Sequence, residues 1–428
     1  MAGRFARLAL VALLAGVIGL GCAPEKSGNG GDAGDDDAPR YRYQPEAGPY
    51  DYLIVAIDDA VAAVDEFAGF KQAQGMATVV TPVSGIDRAG QPDLPAAVRA
   101  YLQSQRDPGR TQYVLIVGSH ATIPMRYFYL TGSRNLNDEY TVPTDYYYGE
   151  LDQNWDADGD GYYGEWGQDF DGEWNDATRW KKDLRVGRIP WDDAATVRTI
   201  LSRTIDYAAI PRPRADVTTL LIGGSILYAD DAPALMEFIK AGIDRDPFAG
   251  HIVTMYGPST EIEHDIDLSH QNLMNAWHDL QPGFVMWASH GSWEGAYTSA
   301  SGQPFIENAD TPGLRGVAPC VVISTGCTNA EPEHESLAFL ALRDFAAAFI
   351  GSTRTTHPGD YGEGALATFP AGVEYLLVDN LPLGEAIDAA VDGYMTQLFP
   401  ENYPPELFLR NIFGFSLLGD PSLTFRAP

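Results

Sequence analysis

Apolar residues in this chain fall in short unbroken runs rather than in strict alternation. Tyr52–Ala56, Ala77–Thr81, Tyr113–Gly118, Leu184–Ile189, Thr219–Gly223 and His251–Tyr256 read as strands, as do Phe284–Ala288, Cys320–Ser324 and Ala347–Gly351. Between them lie segments that read as helices: Ala60–Gln74, Pro92–Gln105, Asp193–Tyr207, Ala232–Ile243, Leu268–Leu280 and Ser336–Phe345. Two last helices are expected near Leu383–Leu398 and Leu407–Leu417. Strands that are apolar throughout, alternating with helices, predict an α/β fold built on mostly parallel sheet with helices over both faces.

The rhythm breaks twice. Residues 140–183 are rich in aromatics, Gly and Asp, and Pro211-Arg212-Pro213 reads as a boundary. Two packed subdomains are therefore expected: 50–212, carrying an insertion at about 150–172, and a catalytic unit over 213–428. In open α/β sheets, chemistry gathers at the carboxyl ends of the strands.

The N-terminus has a different character. Arg4 and Arg7 precede the apolar run Leu8–Leu20, which ends in Gly21-Cys22. This is the pattern of a secretory signal peptide over residues 1–21, too short to span a bilayer comfortably. The cysteine after the cut resembles the bacterial lipoprotein signal, which implies lipidation at Cys22. Residues 22–49 form a Gly-, Asp- and Pro-rich acidic stretch and read as a solvated tether, with a reach of about 25–30 Å. The expected location is extracytoplasmic, at the bacterial cell envelope, as an outer-membrane or surface lipoprotein or a form released from it. The lipid anchor is then its sole contact with membrane.

Charge narrows the partners. With 28 basic and 59 acidic residues the formal net charge is −31, which argues against nucleic-acid binding. Three cysteines, one of them Cys22, leave no disulfide framework. At least one free thiol therefore belongs to an oxidising compartment. A monomer is expected.

Two segments share one construction. Gly283–Ser289 is an apolar run that leads into His290-Gly291, and Cys320–Gly326 leads into Cys327. Each would hold a reactive side chain rigidly at the end of a buried strand. A thiol with a pKa near ~8.5 needs a neighbouring imidazole to become a useful nucleophile, and the imidazole can return the proton to a leaving amine. The backbone amides of Gly291 and Cys327 are the candidate oxyanion hole. Cys320 reads as structural.

An apolar strand ending in His-Gly, followed by a second ending in a small residue and Cys, resembles the caspase–legumain–gingipain group of cysteine peptidases. The gingipain family is the nearest. His290–Tyr297 is similar to its His-Gly-Ser segment, Val186–Pro190 to its Val-Gly-Arg strand, and Phe415–Leu423 to its closing Gly-Asp-Pro-Ser-Leu motif. The resemblance implies a caspase/gingipain-like fold and a cysteine-type endopeptidase acting on peptides or proteins through a Cys327–His290 dyad and a thioester acyl-enzyme. Basic-specific relatives place an acid after the strand equivalent to Thr219–Gly223, which points to Asp230 or Asp231. Asp231 is thus a candidate for the substrate pocket; Trp293, beside His290-Gly291, and His357, after the strand Ala347–Gly351, are further candidates for it. The side chain that orients the histidine is not identifiable; the corresponding position reads Ser225-Ile226.

A further motif carries different chemistry. Asp156, Asp158 and Asp160 alternate and are followed by Gly161, the start of an EF-hand-like calcium loop. The Tyr162 carbonyl would be the next ligand. Position twelve is Gly167, so Glu165, Asp169 or Asp171 would have to close the shell. A structural Ca²⁺ is expected. Two other readings remain: a calcium-stabilised surface lipoprotein that binds peptide or a protein partner without turnover, and a metal-dependent hydrolase. The second lacks histidine ligands around the acids.

Overall fold

The computed structural model describes residues 40–425, except 131–134, 137, 167–180, 210–216, 228, 245–250, 301, 358–371 and 399–405. The signal peptide, Cys22 and most of the tether lie outside the described residues, as do Asp169 and Asp171.

The strands of the first half are β1 (Tyr52–Ala56), β2 (Thr78–Pro82), β3 (Tyr113–Val117), β4 (Arg126–Leu130), β5 (Thr141–Thr144), β6 (Glu165–Trp166) and β7 (Arg185–Ile189). The second half adds β8 (Thr219–Gly223), β9 (Ile252–Tyr256), β10 (Ile266–Asp267), β11 (Phe284–Ala288) and β12 (His290–Ser292). It continues with β13 (Gly295–Tyr297), β14 (Pro304–Glu307), β15 (Cys320–Ser324), β16 (Ala346–Ser352) and β17 (Phe415–Gly419).

Strands of both predicted halves join one eleven-stranded sheet, in the order β10-β9-β8-β11-β15-β16-β17-β7-β3-β1-β2. Its pairings are parallel except β16 with β17. The chain-final strand β17 is the seam between the halves. Side-chain parity explains the unbroken apolar runs. In β1, Tyr52, Ile54 and Ala56 enter one core while Leu53 and Val55 enter another on the opposite face. The first of these cores also takes Leu220 and Ile222 of β8, and Cys320 and Val322 of β15. It therefore runs under both halves.

One expectation is corrected. The stretch expected as a helix over Leu407–Leu417 is a helix only over Glu406–Gly414, and Phe415–Gly419 is a strand. A short buried apolar run suits either state, and here the open edge of β16 decides it.

The two motifs outside the site are structural and meet at this seam. A Cβ on Gly187 would lie 2.2 Å from the carbonyl oxygen of Gly419, so only glycine fits. Next to it, buried Arg188 holds both oxygens of Asp145 at 2.7 Å and donates to the Gly118 and Ile123 carbonyls. In the closing motif, fully buried Asp420 pairs with Lys71 at 2.6 Å and accepts from the Tyr52 hydroxyl at 2.7 Å. Burial and the Asp420 charge push the Tyr52 hydroxyl pKa far up. Lys71 comes from the helix Val61–Ala73, so this pair ties the residue after β17 to a helix early in the chain.

Candidate active site

Strands β11 and β15 are adjacent and parallel, with Trp287 opposite Ser324. His290 and Cys327 each lie three residues beyond that pair, so the register delivers both to the same edge. Strand spacing of about 4.8 Å then places their backbones side by side. Gly291 makes the approach possible: a Cβ there would lie 2.7 Å from the Cys327 carbonyl oxygen and 2.9 Å from its nitrogen.

The chain turns sharply after the thiol. Thr328 has φ 49°, a region that a β-branched residue rarely enters. Its amide donates to the Arg354 carbonyl at 3.1 Å, which helps to hold the turn. Arg354 is in turn clamped by Glu333, at 2.6 and 3.0 Å. The Cys327 Sγ lies 3.5 Å from the Thr356 hydroxyl, which itself donates to the Thr325 carbonyl at 2.9 Å. The Cys327 thiol is partly exposed, whereas Cys320 is buried in the core.

His290 and Gly291 belong to a small antiparallel sheet, β12-β13-β14. The two-residue connection Trp293-Glu294 makes Ser292 and Gly295 the hydrogen-bonded pair. Gly291, opposite Ala296, falls on the alternate position, so its N–H is not taken by β13. Asn329 joins this hairpin to the cysteine turn. Its amide nitrogen donates to the Ser292 carbonyl at 2.6 Å and the Gly295 carbonyl at 3.0 Å, and its oxygen accepts from Ser324 at 2.5 Å. Asn329 is fully buried.

Among the described residues, the partner of the imidazole Nε2 is a backbone carbonyl rather than a side chain. His290 Nε2 lies 2.9 Å from the carbonyl oxygen of Ile226. An oxygen acceptor there requires the proton on Nε2 and leaves the Nδ1 lone pair free. No residue-type pattern could have found this, because every residue carries a carbonyl. Asp231 maintains the arrangement: its carboxylate accepts from the amides of Ile226 at 3.0 Å, Leu227 at 2.5 Å and Ala232 at 2.7 Å. Asp231 is therefore turned to the loop that supports the histidine. Asp230 accepts from the Thr260 hydroxyl at 2.5 Å.

The other pocket candidates have definite places. Trp293 stacks on His334, with ring centroids 4.6 Å apart. His357 follows Thr356 and is held through its backbone, by two hydrogen bonds with Asn411 at 2.9 and 2.8 Å. Both lie on segments next to the Cys327 turn.

In the acidic loop, carboxylate oxygens of Asp156, Asp158 and Asp160 come within 4.8 Å of one another. Gly159 and Gly161 take φ of +78° and +88°, which wraps the backbone around the acids. The Gly161 and Tyr162 amides donate to Asp156 and Asp160. Three hard oxygen donors suit Ca²⁺ or Mg²⁺ rather than a thiolate-seeking metal. Glu165 is not part of this cluster; it sits on β6 with 4% exposure.

Several solved structures share the architecture. The complex of the pro- and mature domains of RgpB from Porphyromonas gingivalis superposes with a TM-score of 0.64, at 14% identity, over 87% of this chain and 79% of that one. The Arg-specific cysteine proteinase gingipain R (RgpB) gives 0.63, at 17% identity, over 89% and 80%. No curated relative matches the sequence. The fold is thus that of the gingipain class of cysteine peptidases. The chain belongs to peptidase family C25, whose sequence model matches residues 46–426.

Proposed function

We propose that this protein is an extracytoplasmic cysteine endopeptidase in which Cys327 is the nucleophile and His290 the general base and acid. The observation that carries this reading is the shared register of the two strand ends, which presents thiol and imidazole at one edge with Gly291 against the Cys327 backbone. Nδ1 of His290 takes the thiol proton. Sγ then attacks the scissile carbonyl carbon, and the electron pair moves to the carbonyl oxygen. The amides of Gly291 and Cys327 face that oxyanion; among the described residues Cys327 N–H has no other acceptor. As the tetrahedral adduct collapses, the C–N bond breaks and the imidazolium protonates the departing amine. Water, deprotonated by the same imidazole, hydrolyses the thioester and returns the thiol.

The experiment is active-site labelling. An irreversible thiol-directed peptidyl probe should modify Cys327 in the wild type and leave His290→Ala unmodified. Equal labelling of both proteins, or no labelling together with no peptide hydrolysis, overturns the reading.

The signal-like start and Cys22 support export with a lipid anchor, so mature protein should carry acyl groups on Cys22, seen by mass spectrometry. The three converging aspartates support one structural Ca²⁺, completed by the Tyr162 carbonyl and further oxygens. Chelation should lower Tm, and Ca²⁺ should restore it. A Tm that chelator leaves unmoved counts against the site.

A further inference from the structure

The amino-terminal end of β15, opposite the Cys327 end, opens into a cleft of about 640 Å³. Four arginines line it, Arg198, Arg203, Arg315 and Arg343, together with Asp206 and Asp344. This grouping runs against the composition of a chain with 59 acidic and 28 basic residues.

Both acids already have partners. Asp206 accepts from Arg40 at 2.6 Å. Asp344 binds Arg315 and Arg343 at 2.8 Å each and accepts from the Thr311 hydroxyl at 2.8 Å. Arg203, in contrast, spends its guanidinium on carbonyls, those of Leu342 at 2.6 Å and Arg343 at 2.9 Å. Burial pushes its pKa down, and the nearby Asp344 and Asp206 charges offset this only in part. Arg198 is exposed on the same wall, and its side chain forms no ion pair or hydrogen bond among the described residues. The Arg315 side chain remains 59% exposed despite its bond to Asp344. The wall therefore carries positive charge that its own acids do not cancel.

We propose that this cleft is a phosphate-binding site. The four cations are all arginines, whose planar forks match the oxygens of phosphate two at a time and which desolvate more readily than an ammonium. A doubly charged oxyanion would supply the bonded counter-charge that neither Arg198 nor Arg203 has. Pro319 lines the cleft and precedes β15, whereas Cys327 follows it, so cleft and thiol lie on the order of 20 Å apart. The site stands independently of the peptidase reading.

The test uses the mature protein with inorganic pyrophosphate as probe, against sodium chloride at matched ionic strength and with free Ca²⁺ held constant across all samples. Pyrophosphate should raise Tm saturably by about 2–4 °C. Arg198→Glu, at an exposed and unpartnered position, should fold normally, keep peptide hydrolysis, and bind pyrophosphate at least about ten-fold more weakly. No saturable shift beyond the chloride control, or the same shift in Arg198→Glu, overturns the proposal. Stabilisation by a poly-aspartate peptide without stabilisation by pyrophosphate overturns it too, in favour of a carboxylate ligand. Phosphatidic-acid vesicles separate the sources. Sedimentation that pyrophosphate competes away assigns the phosphate to a lipid headgroup, and no sedimentation with pyrophosphate binding retained assigns it to a soluble phosphate. Sedimentation that persists in Arg198→Glu overturns the site.

Discussion

The Nε2 of His290 lies 2.9 Å from the carbonyl oxygen of Ile226, and Asp231 holds the amides on either side of that carbonyl. A backbone dipole thus occupies the place that a carboxylate side chain takes in many hydrolytic sites. A neutral acceptor fixes the tautomer and aims the ring, while it stabilises an imidazolium less than a full charge would.

Asp231→Asn tests this support. An amide cannot accept three N–H bonds as a carboxylate does, so the loop carrying Ile226 loosens. Displacement of the base by a fraction of an ångström to 1 Å should lower kcat by up to about 100-fold. KM should change little, because the carboxylate is turned to backbone. A change confined to KM would show instead that Asp231 contacts substrate.

Gly291→Ala tests the close approach of the two strand ends. Its Cβ would meet Cys327 backbone atoms at 2.7 and 2.9 Å, so the hairpin must retreat from the thiol. Loss of one oxyanion donor alone costs about 100–1000-fold in kcat, and that is the expected drop. Circular dichroism should remain native, since the contact is local. Wild-type turnover in this variant would show that the two backbones need not touch.

Lys71→Met tests the seam. Removal of one partner from a fully buried ion pair leaves Asp420 uncompensated and should cost about 3–5 kcal/mol in urea unfolding. The double variant Lys71→Met/Asp420→Asn should recover part of that loss. Additive losses in the pair would deny the coupling.

Acid should act through Glu333. Burial alone raises its pKa, but the Arg354 guanidinium more than offsets this and holds it below the usual carboxylate value. The folded state then binds fewer protons than the unfolded chain, so stability rises with pH across that window. The contribution is complete above about pH 4.3 and is lost as pH falls through the folded pKa. Neighbouring Glu331 is pushed up by burial and acts with the opposite sign. Glu333→Gln should therefore be less stable than wild type at pH 6, and the gap should close as pH falls below 4.3. A pH-independent gap would assign Glu333 a purely steric role.

The sequence by itself determined what repeats along one dimension. Strands buried on both faces must be apolar throughout, so Tyr52–Ala56 and Phe284–Ala288 were legible without any partner. The places of His290 and Cys327 just beyond strand ends were legible too, because both follow apolar runs. Pairing and backbone chemistry needed the tertiary structure. Only the sheet order makes β11 and β15 neighbours, and only their register brings His290 level with Cys327. Phe415–Gly419 is a strand because β16 offers an edge far away in sequence. The Ile226 carbonyl, the Asn329 bridge and the arginine cleft likewise depend on contacts between distant segments. Local residue types set propensity and burial, whereas the closing of loops between distant segments decides which groups meet.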